Sequence, residues 1–409
     1  MTNNKVLIVS YKLGTDEGVG GRRWLVYGLE LLKNGYDVHF LSCQKKLPSE
    51  LAAHQNRVSF LPSNYPSVLK SIPKTLIDKL LYRFWIFVLK SINKGSIFDE
   101  AARIEGSFMY SASKIILEKE INTIIVSGAP FSFLYYGTLL KKKFPHLKLI
   151  VDYRDGWTEG TGYGIKNLPA EKFKFELERE KQVLSISDCV FVASKDIQNQ
   201  LKNIDSTIES YVLPNFVDVK QYEQDVDLTD RKPNPEMVIT HIGSVNVNIE
   251  KYWKHFFKQL VLLNEENIPV RVQFVGNVNK DMEEYVAKEN IPHVSFLPRA
   301  SKKELAGYMN ASHFLLFFKH DDFPDSFPTK FFDYVVFRKP LICYTKAGSV
   351  SEEILSSKLG FVLNDATSKN DFSNIFLQYL TGTLPFNKDY DWSKYSLETC
   401  VLAIEKQLQ

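Results

Sequence analysis

A lysine and an aspartate on one predicted helix form the strongest candidate anion-binding site of the sequence. The segment 325–333 is Asp-Ser-Phe-Pro-Thr-Lys-Phe-Phe-Asp and follows an apolar run typical of a buried strand. Pro328 suits the first position of a helix. The amides of the first turn, the Thr329 side chain and the Lys330 ammonium would then converge on an anion, and Asp333 could accept both hydroxyls of a ribose. The alternative is an ordinary helix start with a surface lysine.

A second candidate group follows another predicted strand. Residues 152–157 are Asp-Tyr-Arg-Asp-Gly-Trp, at the end of the predicted strand 148–152. At the carboxyl end of a buried strand, Asp152 and Asp155 would both point into a cleft. Asp155 could accept a hydrogen bond from a sugar hydroxyl or stabilise a positive charge. The alternative is an ion pair between Arg154 and an aspartate that holds the loop.

A glycine-rich loop lies between the first predicted strand and the first predicted helix. It contains Gly20 and Gly21, followed by Arg22, and such a loop lets backbone amides approach a phosphate or a sugar. The loop fits neither the dinucleotide pattern G-x-G-x-x-G nor the phosphate-loop pattern G-x-x-x-x-G-K-[ST]. A flexible surface loop is the alternative interpretation.

Predicted strands and helices alternate along the whole chain, which indicates parallel α/β sheets. The two series are separated by the polar, proline-containing stretch 217–236, which is typical of an interdomain linker. The sequence therefore predicts two doubly wound domains facing each other across a cleft, with ligands bound at the carboxyl ends of strands. The predicted strands are 6–10, 37–42, 121–126, 148–152, 188–193 and 210–213 in the first series, and 238–242, 270–275, 294–297, 314–318, 340–344 and 360–362 in the second.

Composition and charge exclude several classes of protein. With 44% apolar and 24% charged residues, the chain is neither disordered nor a polytopic membrane protein. A net charge of +3 is too small for a dedicated nucleic-acid binder. The four cysteines are scattered without C-x-x-C spacing, so we expect buried thiols and no structural zinc site. We find no signal-peptide pattern and no apolar stretch near the ~20 residues needed to span a bilayer, so we expect a cytoplasmic protein, or one peripheral on the inner face of the cell membrane.

The segment 66–95 stands apart, because lysines and arginines alternate there with bulky apolar and aromatic residues. This pattern is typical of an amphipathic helix that lies on an anionic membrane. The alternative is a pair of ordinary helices that cover the first sheet, with their lysines in solvent and Trp85 and Phe87 in the core.

Taken together, these segments resemble bacterial glycosyltransferases of the GT-B fold, in the retaining family usually called family 4. The resemblance spans nearly the whole chain. It rests on five segments: the glycine loop 18–23, the paired signatures 127–132 and 152–157, the linker entry 213–218 and the helix segment 327–340. The fold implied is GT-B, with two Rossmann-like domains: 1–217, completed by the terminal helix within 388–409, on the acceptor side, and 218–387 on the nucleotide-sugar side.

The resemblance also implies roles for particular residues. Asp325 and Asp333 occupy the positions of the family's E-x7-E pair, so Asp325 is a candidate catalytic residue beside Asp155. Both acids are Asp where the family has Glu, and no histidine follows the segment 127–132. The resemblance implies four further donor-binding candidates. Gly243, Ser244 and Lys251 follow the first strand of the second domain, and Arg299 would lie near the nucleobase of the donor.

The activity implied is transfer of a sugar from a nucleotide-sugar donor to a glycan or lipid-linked acceptor, with retention of configuration, in surface polysaccharide biosynthesis. Lys330, Lys251, Arg22 and helix amides would stabilise the departing nucleoside diphosphate, with no metal and no cofactor required. Two alternatives remain open: a non-catalytic binding protein that keeps the fold, and a GT-B nucleotide-sugar epimerase.

Overall fold

The computed structural model describes residues 4–14, 19–44, 46–70, 73–217, 226, 236–245, 249–321 and 326–409. The chain divides into two compact units. Unit 1 comprises Met1–Pro214 and Cys400–Gln409, and unit 2 comprises Asn215–Thr399.

Unit 1 is built on a parallel sheet whose described strands have the order β3-β2-β1-β4-β5-β6-β7. The central strands are short apolar runs buried on both faces, as expected when helices cover both sides of a parallel sheet. From β1 the chain adds strands on one side of the sheet up to β3 and then on the other side from β4 to β7. We call the position between β1 and β4 the reversal point; side chains that follow these two strands lie at the same edge of the sheet. The strands are β1 (Lys5–Val9), β2 (Asp37–Ser42), β3 (Val58–Phe60), β4 (Thr123–Gly128), β5 (Lys148–Tyr153), β6 (Cys189–Val192) and β7 (Tyr211–Val212).

The helices of unit 1 connect these strands. A hydrophobic cluster joins one face of β1, β4 and β5 to apolar side chains of the helices, including Phe108, Phe133 and Tyr136. The helices are α1 (Val19–Lys33), α2 (Leu76–Ile92), α3 (Glu105–Lys119), α4 (Ser132–Lys143), α5 (Ala170–Ile186) and α6 (Lys195–Ile204). Of these, α1, α3, α4 and α6 pack on the sheet, and α5 packs on α4.

Unit 2 repeats this plan with the described strand order β10-β9-β8-β11-β12-β13, again parallel. Its reversal point lies between β8 and β11. The strands are β8 (Met237–Ile242), β9 (Val270–Val275), β10 (Val294–Leu297), β11 (Phe314–Phe318), β12 (Leu341–Tyr344) and β13 (Gly360–Leu363). The helices are α7 (Glu250–Glu265), α8 (Lys280–Lys288), α9 (Lys302–Ala311), α10 (Thr329–Tyr334), α11 (Ser349–Ser356), α12 (Lys369–Leu380) and α13 (Leu397–Leu408), the last of which continues into unit 1.

The prediction of two doubly wound α/β units is confirmed, and the boundaries between them are shifted. Residues 215–217 and 388–399 group with unit 2, whereas the sequence placed them with the first domain. The reason is local packing: the amide of Val217 donates to the carbonyl of Tyr395 at 2.7 Å, and the Tyr395 ring packs against Phe327, Phe331 and Phe332 of unit 2.

Two further expectations from composition concern cysteines and membranes. All four cysteines are buried free thiols, as predicted. None of the helices in the described part of the chain is long and apolar enough to cross a bilayer.

Candidate functional site

The first site lies in unit 2, where the chain leaves β8 at the reversal point of the sheet. Gly243 has φ +84° and Gly276, after β9, has φ +133°. A Cβ on Gly276 would lie 2.8 Å from the carbonyl oxygen of Gly243, so only glycine lets the two turns approach so closely. The backbone at Gly243 and Ser244 is exposed at this edge.

Lys330, on the first turn of α10, lies across this exposed backbone. Its Nζ donates to the carbonyl oxygen of Ser244 at 3.0 Å and lies 3.3 Å from Nε2 of His241. A Cβ on Gly243 would lie 3.2 Å from Cε of Lys330, which leaves little room for any other residue there. The structure thus brings together three predicted residues, Gly243, Ser244 and Lys330.

His241, which the sequence interpretation missed, is the buried hydrogen-bond partner of Lys330. The ring is fully buried, and its Nδ1 lies 3.0 Å from the carbonyl oxygen of Leu316. Because that carbonyl can only accept, Nδ1 carries the proton and Nε2 presents a lone pair to Lys330. Burial and the neighbouring ammonium hold the pKa of His241 well below its usual value, so the ring stays neutral.

The ammonium of Lys330 is itself perturbed. Burial lowers its pKa to about 8, and the nearby carboxylate of Asp333 acts in the opposite direction. A half-buried ammonium with two of its three donors directed at Ser244 and His241 can give the third to an anionic ligand.

Tyr334, also absent from the predicted site, fastens α10 to the sheet. Its hydroxyl accepts from the amide of Ile242 at 2.9 Å and donates to the carbonyl oxygen of Leu316 at 3.1 Å. One buried hydroxyl therefore ties α10 to both strands at the reversal point, and the same carbonyl of Leu316 orients His241. No sequence signal marks this role, since the bonded residues are 92 positions apart.

The helix that carries Lys330 starts one residue later than predicted. Pro328 has φ −66° and ψ 136°, so it is the extended residue preceding the helix, and Thr329 is the first helical residue. Thr329 and Asp333 are half-buried. Asp325, the predicted catalytic partner of Asp333, lies outside the described residues.

Lys251 makes an ion pair within unit 2. Its Nζ lies 2.6 Å from Oδ2 of Asp321, which also pairs with Lys346 at 3.3 Å and accepts from the hydroxyl of Tyr252 at 2.6 Å. These partners lower the pKa of Asp321 against the effect of burial, and the carboxylate raises that of Lys251. Lys251 therefore already has a counter-ion. Arg299 is exposed and follows β10. Because β9 lies between β10 and β8 in the sheet, the strand that carries Arg299 is not adjacent to the strand that leads to Gly243.

A second polar group lies in unit 1, and here one expectation is wrong. Asp152 does not point into a cleft: it is fully buried and paired with Arg23 by two hydrogen bonds of 3.3 and 2.9 Å. Trp24 Nε1 and Ser127 Oγ donate to the same carboxylate at 2.6 and 2.9 Å. A charged pair removed from water needs such additional hydrogen bonds, so Asp152 holds α1 against β4 and β5.

Asp155 forms the ion pair that was the alternative interpretation of this loop. Its Oδ2 lies 3.4 Å from Nε of Arg154 and accepts from the hydroxyl of Tyr163 at 2.9 Å. A Cβ on Gly20 would clash with the guanidinium of Arg154, so this glycine lets α1 begin against the arginine. Gly21 is buried, and Arg22 is half-buried.

These residues surround a cavity of about 250 Å³ at the reversal point between β1 and β4. Its wall includes Gly20, Arg154 and Tyr163, together with Tyr11 and Asp99. Asp155, one residue further along the chain, positions two of these side chains through its bonds to them. A cavity with arginine, carboxylate and phenol groups on its wall suits a polyhydroxylated ligand.

Asp99 in this wall was missed by the sequence interpretation. It is buried, and its two oxygens accept from the amides of Ser132 and Ala101 at 2.8 and 2.9 Å. Burial raises the pKa of this carboxyl, although the two amides oppose the shift.

Comparisons with known proteins agree with this architecture. Residues 229–398 match the family model described as "Glycosyl transferases group 1". No curated protein sequence matches the chain. Among solved structures, the chain is similar to sucrose-phosphate synthase from Thermosynechococcus elongatus, with 13% identity and a TM-score of 0.64, covering 99% of this chain and 98% of the other.

Two nucleotide-sugar complexes are also similar in fold. HepE of Anabaena, solved in complex with UDP-glucose, shows 14% identity and a TM-score of 0.60, with 99% of both chains covered. UDP-GlcNAc 2-epimerase from Neisseria meningitidis, bound to UDP-GlcNAc, shows 12% identity and a TM-score of 0.56, again with 99% of both chains covered. The chain therefore has the GT-B fold, and its residues 229–398 carry a glycosyl transferases group 1 domain.

Proposed function

We propose that the protein is a retaining glycosyltransferase of family 4, which moves a sugar from a nucleotide-sugar donor to a glycan or lipid-linked acceptor in surface polysaccharide biosynthesis, at the inner face of the cell membrane. The family match of unit 2 supports transfer chemistry. The observation that carries the proposal is the position of Lys330 over the exposed turn after β8.

In this proposal Lys330 binds the diphosphate of the donor. An anion close to Nζ would stabilise the charged form of a lysine whose pKa burial has lowered. It would equally stabilise the charge that develops on the departing nucleoside diphosphate, and no metal is invoked for this step. The exposed backbone of Gly243 and Ser244 and the start of α10 at Thr329 would complete the phosphate contacts.

Asp333 is the proposed partner of the ribose. It lies near Lys330 on the same short helix and is half-buried. Because a carboxylate has two acceptor oxygens, it can accept hydrogen bonds from two neighbouring ribose hydroxyls. Asp325 stays a candidate catalytic residue on the strength of the family resemblance alone.

The cavity of unit 1 is the proposed acceptor site. Arg154 offers donors, the carboxylate of Asp99 and the hydroxyl oxygen of Tyr163 offer acceptors, and Phe131 adds an aromatic wall stacked on Trp157. Such a mixture of polar groups and ring faces is suited to sugar hydroxyls and to the apolar faces of sugar rings.

The second candidate is a nucleotide-sugar epimerase, which the similarity to UDP-GlcNAc 2-epimerase keeps open. The family match of unit 2 favours transfer. The two differ in product, since an epimerase converts a nucleotide sugar without an acceptor. A non-catalytic binding protein would bind the nucleotide and form neither product.

The test is thermal unfolding with UDP, GDP, ADP and CMP and their common sugars, without added metal. A ligand of the folded state raises its stability by mass action. We expect a shift with one nucleoside diphosphate that is lost in Lys330→Met and Asp333→Asn and kept in Lys303→Met, an exposed lysine of α9. No shift with any ligand, or equal shifts in Lys330→Met and Lys303→Met, would contradict the proposed site.

Product analysis then separates the three candidates. Incubation of the shifting nucleotide sugar alone, followed by NMR of its anomeric and C2 protons, detects epimerisation. Transfer predicts release of nucleoside diphosphate only when an acceptor is present, with the anomeric configuration retained in the product.

A further inference from the structure

Helix α2 of unit 1 turns an apolar face to solvent. Seven large apolar side chains of this helix are 45–79% exposed, whereas Leu89 alone among its residues is buried. Four of the seven, Leu76, Leu80, Phe84 and Phe87, recur at helical spacing and so share one side of the helix. The other exposed apolar residues are Ile77, Leu81 and Ile92. A contiguous apolar surface of this kind marks an interaction site.

The helix is nevertheless firmly formed. Thr75 and Asp78 make reciprocal hydrogen bonds at its start, at 3.1 and 3.0 Å. At its end, Nζ of Lys172 donates to the carbonyl oxygens of Lys90 and Asn93, both at 2.7 Å. The capping box stabilises the helix itself, and the bonds from Lys172 attach its C-terminal end to α5.

A cationic stripe borders the apolar face. Lys79, Arg83 and Lys90 are exposed. Each follows an exposed apolar residue of the face by three positions, so the three cations form a row beside that face. The apolar residues are Leu76, Leu80 and Phe87. The only acidic residue of the helix is Asp78, which is engaged at the N-cap. The face is therefore complementary to an apolar layer with anionic groups at its surface.

The chain passes directly from α2 into the wall of the unit 1 cavity. Ser96, Phe98, Asp99 and Glu100 line that cavity, and Phe98 is also half exposed. A surface bound along α2 would thus lie near the cavity.

We propose that α2 docks unit 1 on an anionic lipid bilayer, with the helix axis in the membrane plane and its apolar face in the headgroup–acyl boundary. Helices with an apolar face and flanking lysines or arginines bind membranes in this way. A second copy of the chain fits less well, because a twofold interface would bring one cationic stripe towards its equivalent without acidic partners. One consequence rests on the proposed function. If unit 1 is bound to a membrane, its acceptor can itself be an amphiphile, such as a lipid-linked glycan.

Flotation with vesicles tests the docking, using pure phosphatidylcholine and an equimolar mixture with phosphatidylglycerol. We expect binding to the anionic vesicles and little to the neutral ones. Lys79→Gln/Arg83→Gln/Lys90→Gln should lower partitioning roughly 100-fold, at about fivefold per cation. Leu80→Ser/Phe87→Ser should lower it by more than about tenfold.

Matched controls come from α3 of the same unit. Tyr110→Ser/Leu117→Ser changes side chains that are equally exposed, and Lys114→Gln removes an exposed cation. Both should float like the wild type, and circular dichroism shows whether each variant folds. Equal binding to both vesicle types, or flotation unaffected by the α2 variants, would overturn the proposal.

Sedimentation velocity without vesicles distinguishes self-association. A dimer abolished by Leu80→Ser/Phe87→Ser, in a protein that does not float, would assign the face to a second copy and overturn membrane docking. Because docking is measured without nucleotide and the thermal shift without lipid, failure of one leaves the other proposal standing.

Discussion

Lys330 is the residue on which the proposed donor site depends, and its protonation can be followed directly. In the free protein burial lowers its pKa to about 8, and a bound diphosphate should raise it. Above pH 8 binding must therefore take up a proton, and affinity should fall as the pH rises. Calorimetry at about pH 9 in two buffers of different ionisation enthalpy measures the proton uptake.

Lys330→Arg is the informative variant for this pH dependence. A guanidinium stays charged over the accessible range, so nucleotide affinity in this variant should be nearly independent of pH between about 7 and 9. Binding by the wild type without proton uptake would show that the Lys330 ammonium does not contact the ligand.

Glu180 illustrates a buried charge with a stability consequence. It is fully buried, and its Oε2 accepts from the amide of Thr158 at 3.0 Å and from the hydroxyl of the same residue. Burial raises the pKa of Glu180 to about 7 from 4.5. Between those values the native state binds more protons than the unfolded chain, so the free energy of unfolding falls as the pH rises from about 4.5 to 7.

Removing this charge should stabilise the protein above pH 7. Glu180→Gln keeps an acceptor for Thr158, and we expect it to increase the free energy of unfolding at pH 8 by about 1–3 kcal/mol while weakening its pH dependence. Urea unfolding at pH 5 and pH 8 checks this. Glu178→Gln, an exposed neighbour on α5, should change little; equal effects of the two variants would rule out the assignment to Glu180.

At the scale of elements, the donor site depends on how α10 is attached to the sheet. Tyr334→Phe removes the hydroxyl that joins α10 to Ile242 and Leu316. Loss of an acceptor for a buried amide should cost about 1–3 kcal/mol. Nucleotide affinity should fall as well, since Lys330 is carried by the same helix. Tyr285→Phe on α8 is the control, and unchanged stability and affinity in Tyr334→Phe would refute this role.

Most of the described strands were predictable because buried parallel strands are short apolar runs between polar residues, whereas β3, a three-residue strand at the edge of the sheet, was not predicted. The observed bounds of β2, β9, β10 and β11 coincide with the predicted ones. Helix α5 is one of several helices that the sequence patterns did not predict, and its packing explains why. It buries Glu176 and Glu180, so that its core side includes charges and the apolar periodicity is hidden.

The site was predictable only where its residues follow a strand or open a helix. Gly243, Ser244 and Lys330 have such positions and do meet. His241 bonds to Leu316, 75 residues away, and Tyr334 bonds to Ile242, 92 residues away. Lys251 is paired by an aspartate that spacing could not single out. Which distant groups meet depends on strand order, which a single sequence does not specify.

At the scale of the whole molecule, each unit has its own sheet, core and reversal point, and α13 contributes to both. Its first residues group with unit 2, and residues 400–409 group with unit 1. Val401, Ile404 and Leu408 are buried there, and Nδ2 of Asn4 donates to the carbonyl oxygen of Leu408 at 2.9 Å. The chain's last turns are thus part of the unit 1 core.

Ile404→Ala should therefore weaken unit 1 while sparing the donor site of unit 2. We expect a loss of about 2–4 kcal/mol for truncating this buried side chain, seen as faster amide exchange in β1 and β4 with β8 and β11 unchanged. The nucleotide-induced thermal shift of unit 2 should persist. Leu402→Ala, on the exposed side of the same helix, should stay within about 0.5 kcal/mol of the wild type. Equal loss of protection in β1 and β8 would instead show that the two units unfold together, because exchange then reports one shared opening reaction.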